Sequence, residues 1–225
     1  MRARSPPAAE LHAHGWQPGR FYPHFSKKRA RNGIMGHPRK VISLNPSRNL
    51  FLIGPMGAGK TTVGKRLAAH FDLPFMDLDA EIEAHTGADV PLIFDIEGEP
   101  GFRRRESALL AECSARDGVV LATGGGAILD TNNRGLLAAR GFVVWLQTDV
   151  AQQLQRLERD RHRPLLQSAD RRERLEAMAH ARNPLYAEIA DLTVPSHAHT
   201  PAQAAEHVAQ ELERRWHRMP QARSA

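Results

Sequence analysis

The sequence predicts an α/β fold in which one parallel sheet of five strands carries helices on both faces. Three observations lead there. From residue 49 onward, short apolar β-rich runs alternate with longer stretches of helical periodicity. The run Val143-Val144-Trp145-Leu146 is apolar without a break, as in a strand covered on both sides. The first apolar run also leads through a glycine-rich segment straight into a helical pattern. At 225 residues, the chain is long enough for one well-cored domain with some residues to spare.

Taken in order, strands are expected near 49–54, 74–77, 118–122, 142–147 and 191–194. Helices are expected near 60–71, 79–97, 102–115, 131–139, 149–159, 170–189 and 201–216. Leu50 to Ile53 reads as a buried strand, and Val63, Leu67 and Phe71 recur at helical spacing behind it. In an open parallel sheet, ligands bind at the carboxyl ends of the strands, so motifs that follow strands should converge.

The segment Gly54-Pro55-Met56-Gly57-Ala58-Gly59-Lys60-Thr61 lies between that strand and that helix and fits the pattern G-x-x-x-x-G-K-[ST]. Its glycines let successive backbone N–H groups turn inward onto phosphate oxygens, and the new helix adds its positive dipole end. Lys60 is placed for the β and γ phosphates, and the Thr61 hydroxyl for magnesium.

Asp77 and Asp79 leave the second strand on one side of the chain, where phosphoryl transfer needs carboxylates for the metal and the acceptor hydroxyl. An acidic pair there can equally cap the helix that continues through Glu81 and Glu83. Gly124-Gly125-Gly126 follows the third strand, where missing side chains let a ligand reach the backbone. Of the adjacent Arg103, Arg104 and Arg105, a helix can aim only one or two at a common pocket. Arg156, Arg159, Arg161 and Arg163 precede Pro164. Spacing leaves either arginine group free to be a solvated basic face, although arginine suits phosphoryl charge and carboxylates.

Net charge is +6, but it is unevenly placed. Residues 1–48 hold ten Lys/Arg against Glu10 alone, leaving 21 basic against 24 acidic residues elsewhere, a balance of −3. The basicity therefore belongs to a proline-bearing leader of disordered composition, and nucleic acid is not the expected partner of the body. A transit segment and an over-long start with Met35 as the internal candidate are alternative readings of the leader. No apolar stretch suits a secretory signal or a membrane span, and the single Cys113 suits a reducing compartment. His12/His14 and His197/His199 have no third partner nearby for a structural zinc.

The motifs G-P-M-G-A-G-K-T, D-L-D-x-x-I-E, I-F-x-x-x-G-E-x-x-F-R-x-x-E, L-A-T-G-G-G, R-P-L-L and R-N-P-L-Y occur in one order from about Asn49 to the last helix. In this the chain resembles the shikimate kinases. The resemblance implies a three-layer α/β/α P-loop kinase fold, nucleoside monophosphate kinase-like, with a five-stranded parallel sheet and a mobile lid at about 159–170. It implies a domain over 48–218, a basic extension over 1–47 and a tail over 219–225. Gly57, Ala58, Gly59, Lys60, Thr61, Thr62, Arg156 and Arg163 would bind ATP, with Arg156 over the adenine and Arg163 reaching the transferring phosphoryl group. Thr61 and Asp77 would serve Mg2+. Asp79, Phe94, Phe102, Arg103, Gly124, Gly125, Gly126 and Arg182 would bind shikimate, with Arg103 and Arg182 gripping its carboxylate. Lys60, Asp79 and Arg163 would carry the chemistry, Asp79 orienting or deprotonating the acceptor, and Glu106 would orient its neighbours. The segment around Thr200 and Pro201 resembles an adenine loop. The implied enzyme is cytoplasmic and monomeric, with ATP and shikimate as its only partners. The rivals are a kinase for gluconate or a nucleoside monophosphate, a non-catalytic module on the same fold, and a nucleic-acid binder working through the leader.

Overall fold

A computed structural model describes residues 47–157, 170–195 and 200–216. Five strands, β1 (Leu50–Ile53), β2 (Phe75–Asp77), β3 (Val120–Ala122), β4 (Phe142–Gln147) and β5 (Leu192–Pro195), form one sheet in the order β2-β3-β1-β4-β5. Every pairing is parallel, with Leu52 level with Ala122 on one side and Val144 on the other. The central strand β1 therefore delivers the phosphate loop to the middle of the sheet's carboxyl edge.

Alternation along β1 divides the core in two. Leu50 and Leu52 pack under α1 (Lys60–Phe71) and α7 (Pro201–Arg215) with Val63, Leu67, Val208 and Leu212. Phe51 and Ile53 point the other way, into a cluster with Ile82, Leu110, Leu137 and Tyr186. That cluster draws on α2 (Leu78–Thr86), α3 (Val90–Ser114), α4 (Thr131–Arg140) and α6 (Arg171–Ile189). All four β1 residues are fully buried, and each such side chain contributes about 1.5–3 kcal/mol of transfer free energy. The remaining helix, α5 (Val150–Leu157), follows β4 and rests with Leu157 on Met56 and Leu175.

The expected helix over 79–97 is two helices. Gly87, at φ 69°, ends α2 by donating its N–H to Glu83 O, and Asp89 opens α3 by accepting from the Leu92 N–H at 2.9 Å, with Pro91 in the first turn. The expected gap between 97 and 102 is in turn a kink rather than a loop. Gly98, at φ 67° and ψ 178°, joins two limbs of α3 just before Pro100, and Glu97 bridges the bend by accepting from Arg105 Nε at 2.9 Å. A short 3-10 turn at Ala127–Leu129, following the glycine triplet, was not expected from the sequence.

Candidate active site

The phosphate loop is built around close backbone approaches. A Cβ at Gly54 would lie 2.5 Å from Leu146 O of the neighbouring strand, so only glycine lets the chain turn off β1 there. α1 begins without a side-chain cap, which leaves its first-turn N–H groups facing the loop for an anion. Lys60 Nζ donates to Gly54 O at 2.8 Å and Pro55 O at 2.9 Å, so its ammonium lies over the loop. Thr61 and Thr62 are exposed on the first turn, and Ala58 is buried against it. From α5, Gln153 Nε2 donates to Met56 O at 2.9 Å and Arg156 Nη1 to Gly57 O at 3.1 Å.

Asp77 caps α2, as one of its two readings from sequence has it, and also meets the first turn of α1. Its Oδ1 caps α2 by accepting from the Asp79 N–H at 3.1 Å, while its Oδ2 accepts from Thr61 Oγ1 at 2.6 Å. A hydroxyl and a carboxylate side by side at the phosphate loop are the hard oxygen donors that Mg2+ takes, with phosphates and water completing the octahedron. The residues present therefore fit that ion. Among the described residues no cluster of three or more His, Cys, Asp or Glu could hold a metal by itself.

The kink in α3 sorts the arginine triplet. Arg104 is exposed, and Arg105 turns outward to Glu97. Arg103 turns inward, donating from Nη1 to Glu106 Oε2 at 2.6 Å and from Nε and Nη2 to Glu99 Oε1 at 3.2 and 2.9 Å. Three of its five N–H donors are thus engaged, and a guanidinium held in this way is the kind of group that suits a planar carboxylate. The guanidinium also sits 5.3 Å from the Phe102 ring centroid, and Phe102 packs on Phe94 at 4.7 Å.

Glu106 is wholly buried, and its Oε1 has no hydrogen-bond partner among the described residues. Burial pushes its carboxyl above the ordinary glutamate range and Asp79 adds to this, against the opposing pull of Arg103 and Arg182. Burial alone would lower Arg103, but Glu106 and Glu99 outweigh it and hold the guanidinium charge more firmly. The two directions are compatible: pairing favours both charges, but Glu106 is enclosed whereas Arg103 keeps 22% of its side chain exposed.

The glycine triplet fills the remaining space by being empty of side chains. A Cβ at Gly124 would collide with Glu106 Oε1 and come within 3.1 Å of Asp79 Oδ1, and one at Gly126 would collide with the Arg103 guanidinium. A Cβ at Gly125 would sit 3.3 Å from Met56 N, in the phosphate loop itself. Arg182, on α6 and 8% exposed, points its Nη1 at Gly125 O, 3.4 Å away. One turn later, Tyr186 Oη donates to the same oxygen at 2.6 Å.

The structure thus gathers Lys60, Thr61, Asp77, Asp79, Arg103, Gly124 to Gly126 and Arg182 at the carboxyl edge of β1, β2 and β3, with Phe94 and Phe102 stacked beside Arg103. Arg156 reaches the loop carbonyl of Gly57. Thr200 caps α7 in a reciprocal pair with Gln203, and the residues just before it lie outside the described residues, as do Arg163, positions 1–46, all but the last residue of the expected lid, and the tail. Gln153 and the Tyr186 hydroxyl carry contacts that spacing did not single out. The legible sign for Gln153 is a polar residue among the apolar positions Val150, Leu154 and Leu157 of one helix face.

A glycine-rich loop with a lysine over it at the end of the central parallel strand, beside an arginine-flanked glycine cradle, marks a phosphate-loop kinase. The family model "Shikimate kinase" matches residues 56–213. The chain is 52% identical over 161 residues to the shikimate kinase of Actinobacillus pleuropneumoniae serotype 5b, covering 72% of this chain and 93% of that one. It is 56% identical over 151 residues to the shikimate kinase of Thioalkalivibrio sulfidiphilus, covering 67% and 80%. The solved structure of shikimate kinase from Acinetobacter baumannii in complex with shikimate superposes with a TM-score of 0.73 at 45% identity, covering 76% of this chain and 96% of that one. The chain belongs to the shikimate kinase family.

Proposed function

We infer that this chain transfers the γ-phosphoryl group of ATP to the 3-hydroxyl of shikimate, giving shikimate 3-phosphate and ADP on the route to chorismate and the aromatic amino acids. The observation that carries the reading is the convergence of Arg103 and Arg182 on a glycine turn whose middle residue touches the phosphate loop. Two buried or half-buried guanidinium groups suit one carboxylate, and side-chain-free backbone suits a flat hydroxylated ring.

In this reading the loop N–H groups and the α1 terminus bind the β and γ phosphates, and Lys60 leaves its loop carbonyls for their oxygens. Thr61 and Asp77 hold Mg2+, which when bound offsets charge on the triphosphate. Asp79 takes the acceptor hydroxyl and receives its proton as the new P–O bond forms. Its Oδ1 borders the glycine cradle, 3.1 Å from where a Gly124 Cβ would be. Glu106 keeps the Arg103 guanidinium aimed at the substrate carboxylate. Arg156 covers the nucleotide from α5, and Arg163 serves the transferring group from a lid over about 159–170 that excludes water. The catalytic domain occupies 48–218, preceded by a basic extension. The enzyme works as a cytoplasmic monomer, and no helix among the described residues is long and apolar enough to cross a membrane.

The test is ADP release with ATP and Mg2+ across shikimate, gluconate and a nucleoside monophosphate, with the phosphorylated product identified. Turnover that depends on shikimate alone is expected. Preference for either other acceptor overturns the reading.

A further inference from the structure

Tyr186 touches both halves of the site without belonging to either. Its ring stacks on Trp145 at 5.6 Å and 26°. Trp145 is the β4 residue paired with Ile53, the last residue before the phosphate loop, and its ring edge also stands 3.5 Å from where a Gly54 Cβ would be. The ring is therefore referenced to the base of the ATP-binding loop. The hydroxyl, at the other end, donates to Gly125 O in the acceptor cradle. Gly125 is where cradle and loop meet, its open face lying against Met56 N and Gly54 O.

We propose that Tyr186 is a positioning residue that sets the spacing between the phosphoryl donor and the acceptor, by tying the Gly125 carbonyl to the stacked Trp145 beneath the phosphate loop. The proposal rests on the kinase reading above. Transfer between two bound substrates depends on their reacting atoms being held within tenths of an ångström, and a misplacement of about 1 Å costs on the order of a hundredfold in rate. Tyr186 is 1% exposed, and its hydroxyl, which Arg182 also contacts, donates to Gly125 O. Arg182 reaches the same oxygen only at 3.4 Å, so it is a poor substitute, and its other task is the substrate carboxylate. A tie of this kind leaves a particular signature. Each substrate still finds its own contacts, but the two are held less well relative to each other, and water competes for the phosphoryl group.

The decisive variant is Tyr186→Phe, which keeps the ring on Trp145 and removes one hydroxyl. Turnover, both KM values and the ratio of ADP formed to shikimate 3-phosphate formed are measured against the unmodified chain. We expect kcat to fall about tenfold, both KM values to stay within about threefold, and the ADP-to-product ratio to rise above one. A change confined to melting temperature overturns the proposal, as does a raised shikimate KM at constant kcat, which would make Tyr186 only a support for Arg182. Should Tyr186→Phe not fold, Gly125→Ala carries the same test from the opposite side, since its methyl group presses on Met56 N. An unchanged kcat and product ratio there overturn the proposal equally. Absence of shikimate turnover in the unmodified chain would instead be the failure of the function itself.

Discussion

Thr61 Oγ1 and Asp77 Oδ2 lie 2.6 Å apart, bringing the first turn of α1 against the carboxyl end of β2 although sixteen residues separate them in sequence. The pair joins a helix that receives phosphate to a strand that leads to the acceptor. Asp77→Asn keeps the shape and the cap on α2 but removes the charge. The Mg2+ concentration for half-maximal rate is expected to rise roughly tenfold, about 1.4 kcal/mol, with the melting temperature nearly unchanged. An unaltered Mg2+ titration would remove Asp77 from the metal site.

Asp79→Asn is expected to lower kcat by about a hundredfold or more while ATP affinity stays close to that of the parent. Equilibrium nucleotide binding and single-turnover kinetics separate the two quantities. A fully active variant would show that the acceptor proton goes elsewhere.

Arg182→Ala removes the guanidinium of a residue that is only 8% exposed. Losing charge-assisted hydrogen bonds worth about 2 kcal/mol should raise the shikimate KM roughly thirtyfold with the ATP KM little changed. A defect in ATP affinity alone would contradict its place in the carboxylate grip.

Gly126→Ala places a methyl group on the Arg103 guanidinium, the end of a flexible side chain that can swing aside. Stability is therefore expected to fall by about 1 kcal/mol or less, while shikimate affinity falls about tenfold or more as the Arg103 guanidinium leaves its aim. Gly54→Ala should behave in the opposite way, because its methyl group meets a strand carbonyl that cannot move, and little folded protein is expected. Thermal melts paired with shikimate KM values distinguish these two outcomes.

Glu106 predicts a pH dependence of stability. Its folded pKa lies above its ordinary value because it is buried, so between those two values the folded chain holds more protons than the unfolded one. The stability this contributes is complete below the ordinary glutamate range and is lost as pH climbs through the raised folded value, at no more than about 1.4 kcal/mol per pH unit. Glu106→Gln cannot titrate. Urea unfolding of both proteins across mildly acidic pH should show the parent losing ground to the variant as pH rises and then levelling off. A constant difference would mean that Glu106 has the same charge folded and unfolded.

What the sequence made legible was local. The phosphate loop, its flanking strand and helix, and Asp77 after β2 follow from residue types within a few positions of one another, and the structure places them together. The single helix expected over 79–97 divides in two: apolar spacing runs on across Gly87, while Gly87 and Asp89-Val90-Pro91 carry the stop and start signals. Which arginine of 103–105 faces inward depends on the bend at Gly98, a property of the folded backbone, so spacing alone left it open and only family likeness chose Arg103. The Tyr186 hydroxyl bond spans 61 residues and Gln153's spans 97, and pairings that long have no periodic trace in the chain.

The strand order has an evolutionary consequence. β1 divides the sheet so that β2 and β3, with the helices after β2, supply Asp79, Arg103 and the glycine turn, while α5 reaches the loop from the β4 side with Gln153 and Arg156. Acceptor preference can therefore drift by changes on one flank while the nucleotide flank is inherited intact, and a designer could transplant 77–126 as a block. Arg182 breaks the partition, since it enters from α6 beyond β4, and it is the residue such a graft would have to bring separately.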